Sequence, residues 1–479
     1  MSLTIFIGSL MSLMMALMLA GRALDISFLT YGSYLVSAVL VVLSFGQIKL
    51  RETYLLTSCL MLTIAVFVFV EAPFDALMSG VSQASFLMAF MVLLSLLHEA
   101  AMTSSSVTDC GQYLTSQRAG RRYLAIFGGT NIMAVLFNLG ILSILSPLIQ
   151  KGLKNEQESS YITSLKERRQ ISAMLLGFAW CVVWSPTAIA PLALYELIDG
   201  IDRQLWTYYG LMMAGVVCFI GWLVDKWQYR ALARRNLARK TVSFPRIPFV
   251  KFFVMLALLF GLSASFSYIS HDSFVFGLLL SCPLIMVLWF FFQAIGFDKP
   301  SIISGETPDS GASNSTLNYI VGHILHVNNV ELAKNLRIVV TLAASGYIGR
   351  VGSFLLPAEQ IANALNVFAL PDYVLLFALT IIMIPVSFLG VSPIMMAVFF
   401  GSLLGALPVM PADPTLIALA ITAGWAVSMT LSPFSTIALV TARLNEKPPS
   451  MITFGWHIPF NLGCMTFLFI FYYLITAGN

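Results

Sequence analysis

Charge is what this sequence has least of. Only 10% of its 479 residues are Asp, Glu, Lys or Arg, 58% are hydrophobic, and mean hydropathy is +0.87. Soluble domains carry roughly 25% charged residues, so a water-soluble globular class is excluded. The net charge of +4 is small, and no nucleic-acid partner is expected. The six cysteines, Cys59, Cys110, Cys181, Cys218, Cys282 and Cys464, are scattered and form no CxxC pair. That excludes a zinc ribbon or a disulfide framework and leaves them as small buried hydrophobes. No cofactor and no metal site is expected, Na⁺ as a coupling ion excepted. No GxxxxGK[ST] occurs, which excludes a self-contained ATP-driven pump but not an ATPase partner. No HExxH or DxD cluster occurs, and Ser185 and Ser432 have no His close by in sequence, so a membrane enzyme lacks its usual machinery. No basic stretch precedes the first apolar run, so Leu3 to Ala20 reads as an uncleaved helix rather than a signal peptide.

What is present is a matched pair of interrupted apolar runs. Gly177 begins GFAWCVVWSPTAIAPLA and Gly424 begins GWAVSMTLSPFSTIALV, with Ser185-Pro186 and Ser432-Pro433 at the same distance from each glycine. Proline inside a helix removes a backbone hydrogen bond and clashes with the preceding turn. Hydrocarbon cannot satisfy the freed groups, so such a break must be covered by protein or line a cavity. Corresponding interruptions in two halves of a chain point to a binding site.

A crossing helix needs ~20 apolar residues. Runs near 3–20, 27–46, 53–72, 123–149, 171–198, 206–227, 250–269, 273–297, 374–407, 414–442 and 454–476 meet this. Two stretches, 74–117 and 331–368, instead have short apolar pieces around a small, polar centre, and read as helical hairpins that enter and leave on one side. The expected fold is therefore an all-α polytopic membrane protein of about 11 transmembrane helices plus two re-entrant hairpins. Basic residues set orientation. Between Lys226 and Lys251 stand eight Lys and Arg residues and no acid. This places that loop, the N-terminus, Lys151 to Arg169, Arg443 and Lys447 in the cytoplasm of a bacterial inner membrane. The same loop has the charge to meet anionic lipid heads. Arg118, Arg121 and Arg122 then fall outside. An extra crossing hidden in 74–117 would bring them in but push the 226–251 loop out.

The Ser-Pro segments belong to a repeat. Ile132 to Asn138 resembles Met395 to Gly401, a separation of 263 against 247 for Gly177 and Gly424, the difference matching the polar loop Lys151 to Lys166. Three spans, a hairpin and two spans thus recur. Residues 1–205 form the first repeat, 206–453 the second, and 454–479 a final helix. The second repeat contains the basic loop and a Ser/Gly/Pro-rich linker over 298–330. An odd number of crossings makes the repeats inverted.

This layout resembles the ion transporter superfamily, which includes divalent anion/sodium symporters. The breaks that match the family's substrate-binding turns are Gly128-Gly129-Thr130-Asn131 and Gly390-Val391-Ser392-Pro393. Ser185-Pro186-Thr187 and Ser432-Pro433-Phe434-Ser435-Thr436 lie one helix later. The family's Ser-Asn-Thr triplets are absent as such; Thr103-Ser104-Ser105-Ser106 and Ser345-Gly346 are loose counterparts. The resemblance implies a homodimer with a fixed scaffold and a moving domain.

A broken helix exposes N–H groups that suit anions and carbonyls that suit Na⁺. The candidate solute- and ion-binding residues are therefore Thr103, Ser104, Ser105, Thr130, Asn131, Ser185, Thr187, Ser345, Arg350, Ser392, Ser432, Ser435 and Thr436. Arg350 is a partner for either a substrate carboxylate or Glu359. His98, Glu99 and Asp109 are candidates for a proton relay, since ionisable groups at membrane depth are costly. Trp180, Trp184 and Trp425 flank the breaks. The expected function is secondary active transport of a small carboxylate-type anion coupled to Na⁺ or H⁺, not an enzymatic one. A membrane-embedded transferase or hydrolase, or a non-catalytic subunit of a larger complex, are the alternatives.

Overall fold

The computed structural model describes residues 3–47, 50–154, 160–229, 243–298, 316–357, 360–361 and 370–477. Residues 48–49, 230–242, 299–315, 358–359 and 362–369 lie outside that description. They carry Lys49, most of the basic loop, most of the polar linker, Glu359 and the end of the expected second hairpin. Among the described residues the chain is helical throughout, without strands. Nine helical segments among the described residues are long and apolar enough to cross a membrane. The chain is an integral, multi-pass, all-α membrane protein.

The helices sort into two compact units, residues 1–109 with 246–355 and residues 110–245 with 356–479. Each unit takes one segment from each half of the chain. In the first unit α1 (Leu3–Leu24) packs on α2 (Ser27–Ser44), followed by α3 (Leu50–Phe69) and α4 (Pro73–Met102). The helix α5 (Ser105–Thr115) begins in this unit and continues into the second. The first unit resumes with α11 (Arg246–Ser270), α12 (Phe274–Ala294) and α13 (Thr316–His326). A π-turn (Val327–Glu331), the short α14 (Leu332–Lys334) and α15 (Leu336–Phe354) complete it. The α11–α12 and α4–α15 pairs are its main packing contacts.

The structure departs from the expected hairpins here. Segment 74–117 is no hairpin: α4 runs unbroken for 30 residues, ~45 Å at 1.5 Å per residue, and so crosses the bilayer. The polar Thr103-Ser104 turn falls beyond its end. Segment 331–368 likewise contains the continuous α15, with Ser345 and Arg350 inside it. Small residues that resembled a hairpin tip serve helix packing instead. A Cβ on Gly346 would sit 2.5 Å from the Leu87 side chain of α4, and the Ser345 hydroxyl returns to the Thr341 carbonyl at 2.8 Å.

Two ion pairs of the first unit join segments far apart in sequence. Arg22, at the end of α1, makes a two-pronged contact with Asp272 between α11 and α12, at 2.7 and 2.9 Å. Arg337 of α15 meets Glu52 of α3 at 2.8 Å. Burial alone would raise the Asp272 carboxyl, but hydrogen bonds from Arg22 and the Ser273 N–H outweigh it and hold the group below its ordinary value. A depressed folded value means that the pair's contribution is fully present above 3.8, the ordinary value, and is lost as pH falls through the folded value. Thermal melts of Arg22→Gln should therefore show lower stability than wild type at neutral pH. The difference should shrink as the solution is acidified below about pH 4, and a constant difference would exclude this linkage.

The second unit contains α6 (Ala119–Phe137), α7 (Gly140–Lys154), α8 (Ser160–Cys181), α9 (Ile189–Leu197) and α10 (Arg203–Gln228) from the first half. From the second half it takes α16 (Asp372–Phe388), α17 (Pro393–Gly405), α18 (Pro414–Leu431), α19 (Thr436–Leu444) and α20 (Pro449–Thr476). The order is the same twice: helix, turn, shorter helix, then a broken helix, then a long one. The C-terminal helix α20 thus has a counterpart in α10.

Candidate functional site: paired helix breaks

The breaks within the second unit start from local chemistry. The first turn falls at Asn138, in an unusual backbone conformation with φ 45°, and its counterpart falls at Leu389–Ser392, with Gly390 at φ 81°. The second pair of breaks covers residues 182–188 and 432–435, the two Ser-Pro segments. Gly390 to Pro393 and both Ser-Pro segments break as the sequence indicates. Gly128 to Asn131 does not: it lies in the continuous α6, and the interruption comes about two turns later. In the polar stretch 151–166 the described residues, 151–154 and 160–166, are helical, in α7 and α8.

Contacts show how the chain runs through these breaks. Along α6 and α8, Phe127 faces Gly177, Asn131 bonds Gly177 and Trp184, and Val135 bonds Thr187. Residue numbers rise together on both helices, so α6 and α8 are parallel and α7 must bring the chain back. Along α16 and α18, Thr380 meets Ala420 and Gly424, and Ser387 meets Ser432, again in rising order. Two helical hairpins result, α6–α7 and α16–α17, in the segments expected to be the spans 123–149 and 374–407.

The same two contacts lock each hairpin to the broken helix that follows. The first is a bare glycine against a carbonyl. A Cβ on Gly177 would lie 2.4 Å from Phe127 O, and one on Gly424 would lie 2.7 Å from Thr380 O. The second is a hydroxyl from the break bonded to a carbonyl in the last turn before the hairpin tip. Thr187 Oγ1 donates to Val135 O at 2.6 Å, and Ser432 Oγ donates to Ser387 O at 2.9 Å. Carbonyls at a helix end lack their usual intrahelical partner; the Thr187 hydroxyl supplies one at Val135, and at Ser387 the Ser432 hydroxyl adds to the bond from the Gly390 N–H at 3.2 Å. The equivalent positions are Phe127 with Thr380, 253 apart, and Val135 with Ser387, 252 apart. The separation of 263 between Ile132 and Met395 is not a structural equivalence, because Ile132 precedes a hairpin tip and Met395 follows one.

The remaining polar groups tighten the same region. The Ser185 hydroxyl bonds the Thr187 hydroxyl at 2.9 Å, and Asn131 takes a bond from Trp184 Nε1 at 2.7 Å. Ser435 donates to Met429 O at 2.8 Å and caps α19 through Ala438 N. Thr436 is the first residue of α19, and Ser392 precedes Pro393 at the start of α17. Thr130 is fully buried and its hydroxyl has no hydrogen-bond partner. The N-caps of α9 and α17, Ala188 and Ser392, make no side-chain cap bond.

The other sequence candidates fall in the first unit. Thr103 accepts a bond from Gln293 at 2.8 Å. Ser104 and Ser106 donate to the buried Asp298 carboxylate at 2.5 and 2.6 Å, beside a cavity of about 10 Å³ at which Lys251 and Trp289 also stand. Ser105 opens α5, and Asp109 is exposed on it. Arg350 Nε donates to the Ser79 hydroxyl of α4 at 2.7 Å, and its guanidinium lies over Phe354. His98 and Glu99 lie near the end of α4.

Sequence reading missed two polar contacts in the second unit. Arg169 of α8 clasps Asp225 of α10 at 2.5 Å. Ser146 and Gln150 of α7 both donate to Asn445 at 2.9 Å, and Gln150 also reaches Glu167 at 2.7 Å. Asp225, beside Lys226 at the end of an apolar run, is the last acid before the basic loop, a signal that could have prompted a search for its partner.

No family model and no curated protein sequence matches this chain. Its fold is similar to that of a solved structure, the YdaH transporter of Alcanivorax borkumensis, described as having an unusual topology. The TM-score is 0.58 at 14% identity, over 88% of this chain and 98% of that one. At that identity the likeness is one of fold.

Replacing Gly177 or Gly424 with Ala should force a hairpin off its broken helix and cost about 1–3 kcal/mol. Gly128→Ala, where an added Cβ meets nothing within 4 Å in a helix interior, should not lower the detergent-solubilised melting temperature. Equal melting of all three variants would show that the close approach is not limiting.

Proposed function

We propose that this chain is a secondary active transporter of a small organic anion of the carboxylate type, coupled to Na⁺ or H⁺. The observation that carries the reading is the duplication in the second unit, where a hairpin and a broken helix occur twice and are joined by the same glycine and hydroxyl contacts. A fold likeness to a protein described as a transporter supports it. Uncapped N–H groups at the starts of α9 and α17 suit an anion, and carbonyl ends near the hairpin tips suit a cation. The hydroxyls of Thr130, Ser185 and Ser392 supply neutral donors and acceptors in the same unit. The Ser185 hydroxyl bonds Thr187 and that of Ser432 bonds a backbone carbonyl, the arrangement of caps rather than nucleophiles.

Membrane topology fits this reading. Adding α8–α9 and α15 to the nine apolar segments gives eleven crossings plus the two hairpins. With the N-terminus cytoplasmic, α1 to α4 return the chain to the cytoplasm. Arg118, Arg121 and Arg122 then lie inside, on the same side as Lys226 to Lys251, as the rule for basic loops requires. The two clusters conflict only if the segment near 123–149 crosses the membrane. The first hairpin then enters from the cytoplasm and the second from outside, which makes the copies inverted and suits alternating access. We read the cycle as elevator-like, with the second unit carrying the solute, in a homodimer of a bacterial inner membrane surrounded by lipids.

Counterflow in proteoliposomes tests the proposal, using labelled acetate, succinate, aspartate and benzoate under a Na⁺ gradient, a pH gradient or neither. Uptake of at least one probe under one gradient is expected; none under either sinks the reading. Thr187→Val and Ser432→Ala should each slow uptake about 5- to 30-fold, the equivalent of 1–2 kcal/mol, while the protein stays folded. Wild-type rates in both would reduce the breaks to packing features.

A further inference from the structure

The first unit contains a cluster of ionisable groups that the hairpin chemistry does not use. It is built by the π-turn at Val327–Glu331. An α-helix brings together side chains three and four apart; the wider π-turn adds a residue and lets positions five apart meet. Here His326 Nε2 lies 3.3 Å from Glu331 Oε1, while Lys334 reaches both oxygens of the same carboxylate at 2.7 and 2.9 Å. The turn is held in place by α1. Gly8 lies so close that a Cβ would be 1.7 Å from Asn328 O, and Ser12 donates to Asn328 Oδ1 at 2.6 Å.

Across the packing of α4 on this turn, Glu331 acts electrostatically on both His98 and Glu99. His98 Nε2 lies 4.0 Å from Glu99 Oε1, and His98 Nδ1 is a buried ring nitrogen with no protein partner. The side chain of Glu99 is 18% exposed and that of Lys334 is 63% exposed, so the cluster is shielded on one side and open on the other. The neighbouring elements add little charge. Arg337 of α15 is occupied by Glu52 of α3, and His323 of α13 is bonded to Tyr319 O and lies tilted against Phe290. The helices α1, α2 and α12 carry no charged side chain apart from Arg22 at the far end of α1.

Two carboxylates therefore face one lysine. With both histidines neutral the group is left with one excess negative charge, and burial makes that charge costly. Among the described residues no three His, Cys, Asp or Glu side chains converge as a metal would require. A proton restores balance without such convergence. We infer that His98, Glu99, His326, Glu331 and Lys334 form a proton-binding site of the first unit, one that takes up a single H⁺ from water. The proton forms an O–H bond on Glu99 or an N–H bond on His98, and the titration belongs to the coupled group rather than to one residue. Resting on the transport reading, this makes H⁺ the coupling ion and Glu99 its principal acceptor.

Two measurements test the inference separately from the transport reading. Infrared titration of the purified protein between pH 5 and 8 should show a protonated-carboxyl band that Glu99→Gln removes, that Glu331→Gln shifts and that Glu99→Asp restores. A spectrum in which neither Gln variant alters a titrating band overturns the site whether or not transport is found. In proteoliposomes, one coupled proton makes an inward gradient of one pH unit raise wild-type accumulation of a transported probe about tenfold. Glu99→Gln should lose that stimulation. Accumulation that keeps its full pH stimulation in both Gln variants also overturns the proposal.

Discussion

A helix that stops inside a membrane leaves backbone carbonyls with nothing to bond, and the second unit is organised around that problem. At the Val135 carbonyl the partner is the Thr187 hydroxyl from the following broken helix, and at the Ser387 carbonyl the Ser432 hydroxyl joins the Gly390 N–H. Such a hydroxyl is available only where the helix has itself been interrupted by a Ser-Pro pair. Each interruption thus makes its neighbour tolerable. Neither the hairpin nor the broken helix is a reasonable membrane structure alone, since an unsatisfied group in hydrocarbon costs several kcal/mol. Gly177 and Gly424 complete the arrangement, because the bonds can form only if the helices approach to backbone distance.

The first unit answers a different demand. Its helices are long and mostly unbroken, and its polar groups are collected where helices end. Arg22 with Asp272, Arg337 with Glu52, and Ser104 and Ser106 with Asp298 each join two segments far apart in sequence. The π-turn is the exception. It stays irregular because α1, through Gly8 and Ser12, fits against it, and it gathers an ionisable group that a regular helix would have spread around its surface.

Much of the fold was legible in the sequence, for physical reasons. Runs such as 206–227 and 250–269 could only be lipid-crossing helices, and proline marked Ser185, Ser432 and Ser392 as interruptions. The hairpins were misplaced because polarity was read as position. Thr103 to Ser106 and Ser345-Gly346 are as small and polar as a hairpin tip, yet they close or pack against full-length helices. The true first tip, at Asn138, carries no proline or glycine of its own, and its neighbours Phe137 and Leu139 read as lipid-facing. Of the candidate residues, Asn131, Thr187 and Ser432 proved to hold the hairpins through bonds that spacing could not disclose. Glu331 and His326, five apart, had no reason to be considered together.

By itself, then, the sequence determined the solvent of this protein, the number and approximate ends of most crossings, and the two Ser-Pro breaks. Those follow from hydrophobicity and backbone chemistry, which are local. The tertiary structure decided which apolar runs cross and which turn back, because an apolar run of 27 residues, as at 123–149, is equally consistent with one crossing or two half-crossings. What distinguishes them is whether α6 and α8 run parallel, and only contacts between distant residues such as Phe127 and Gly177 fix that.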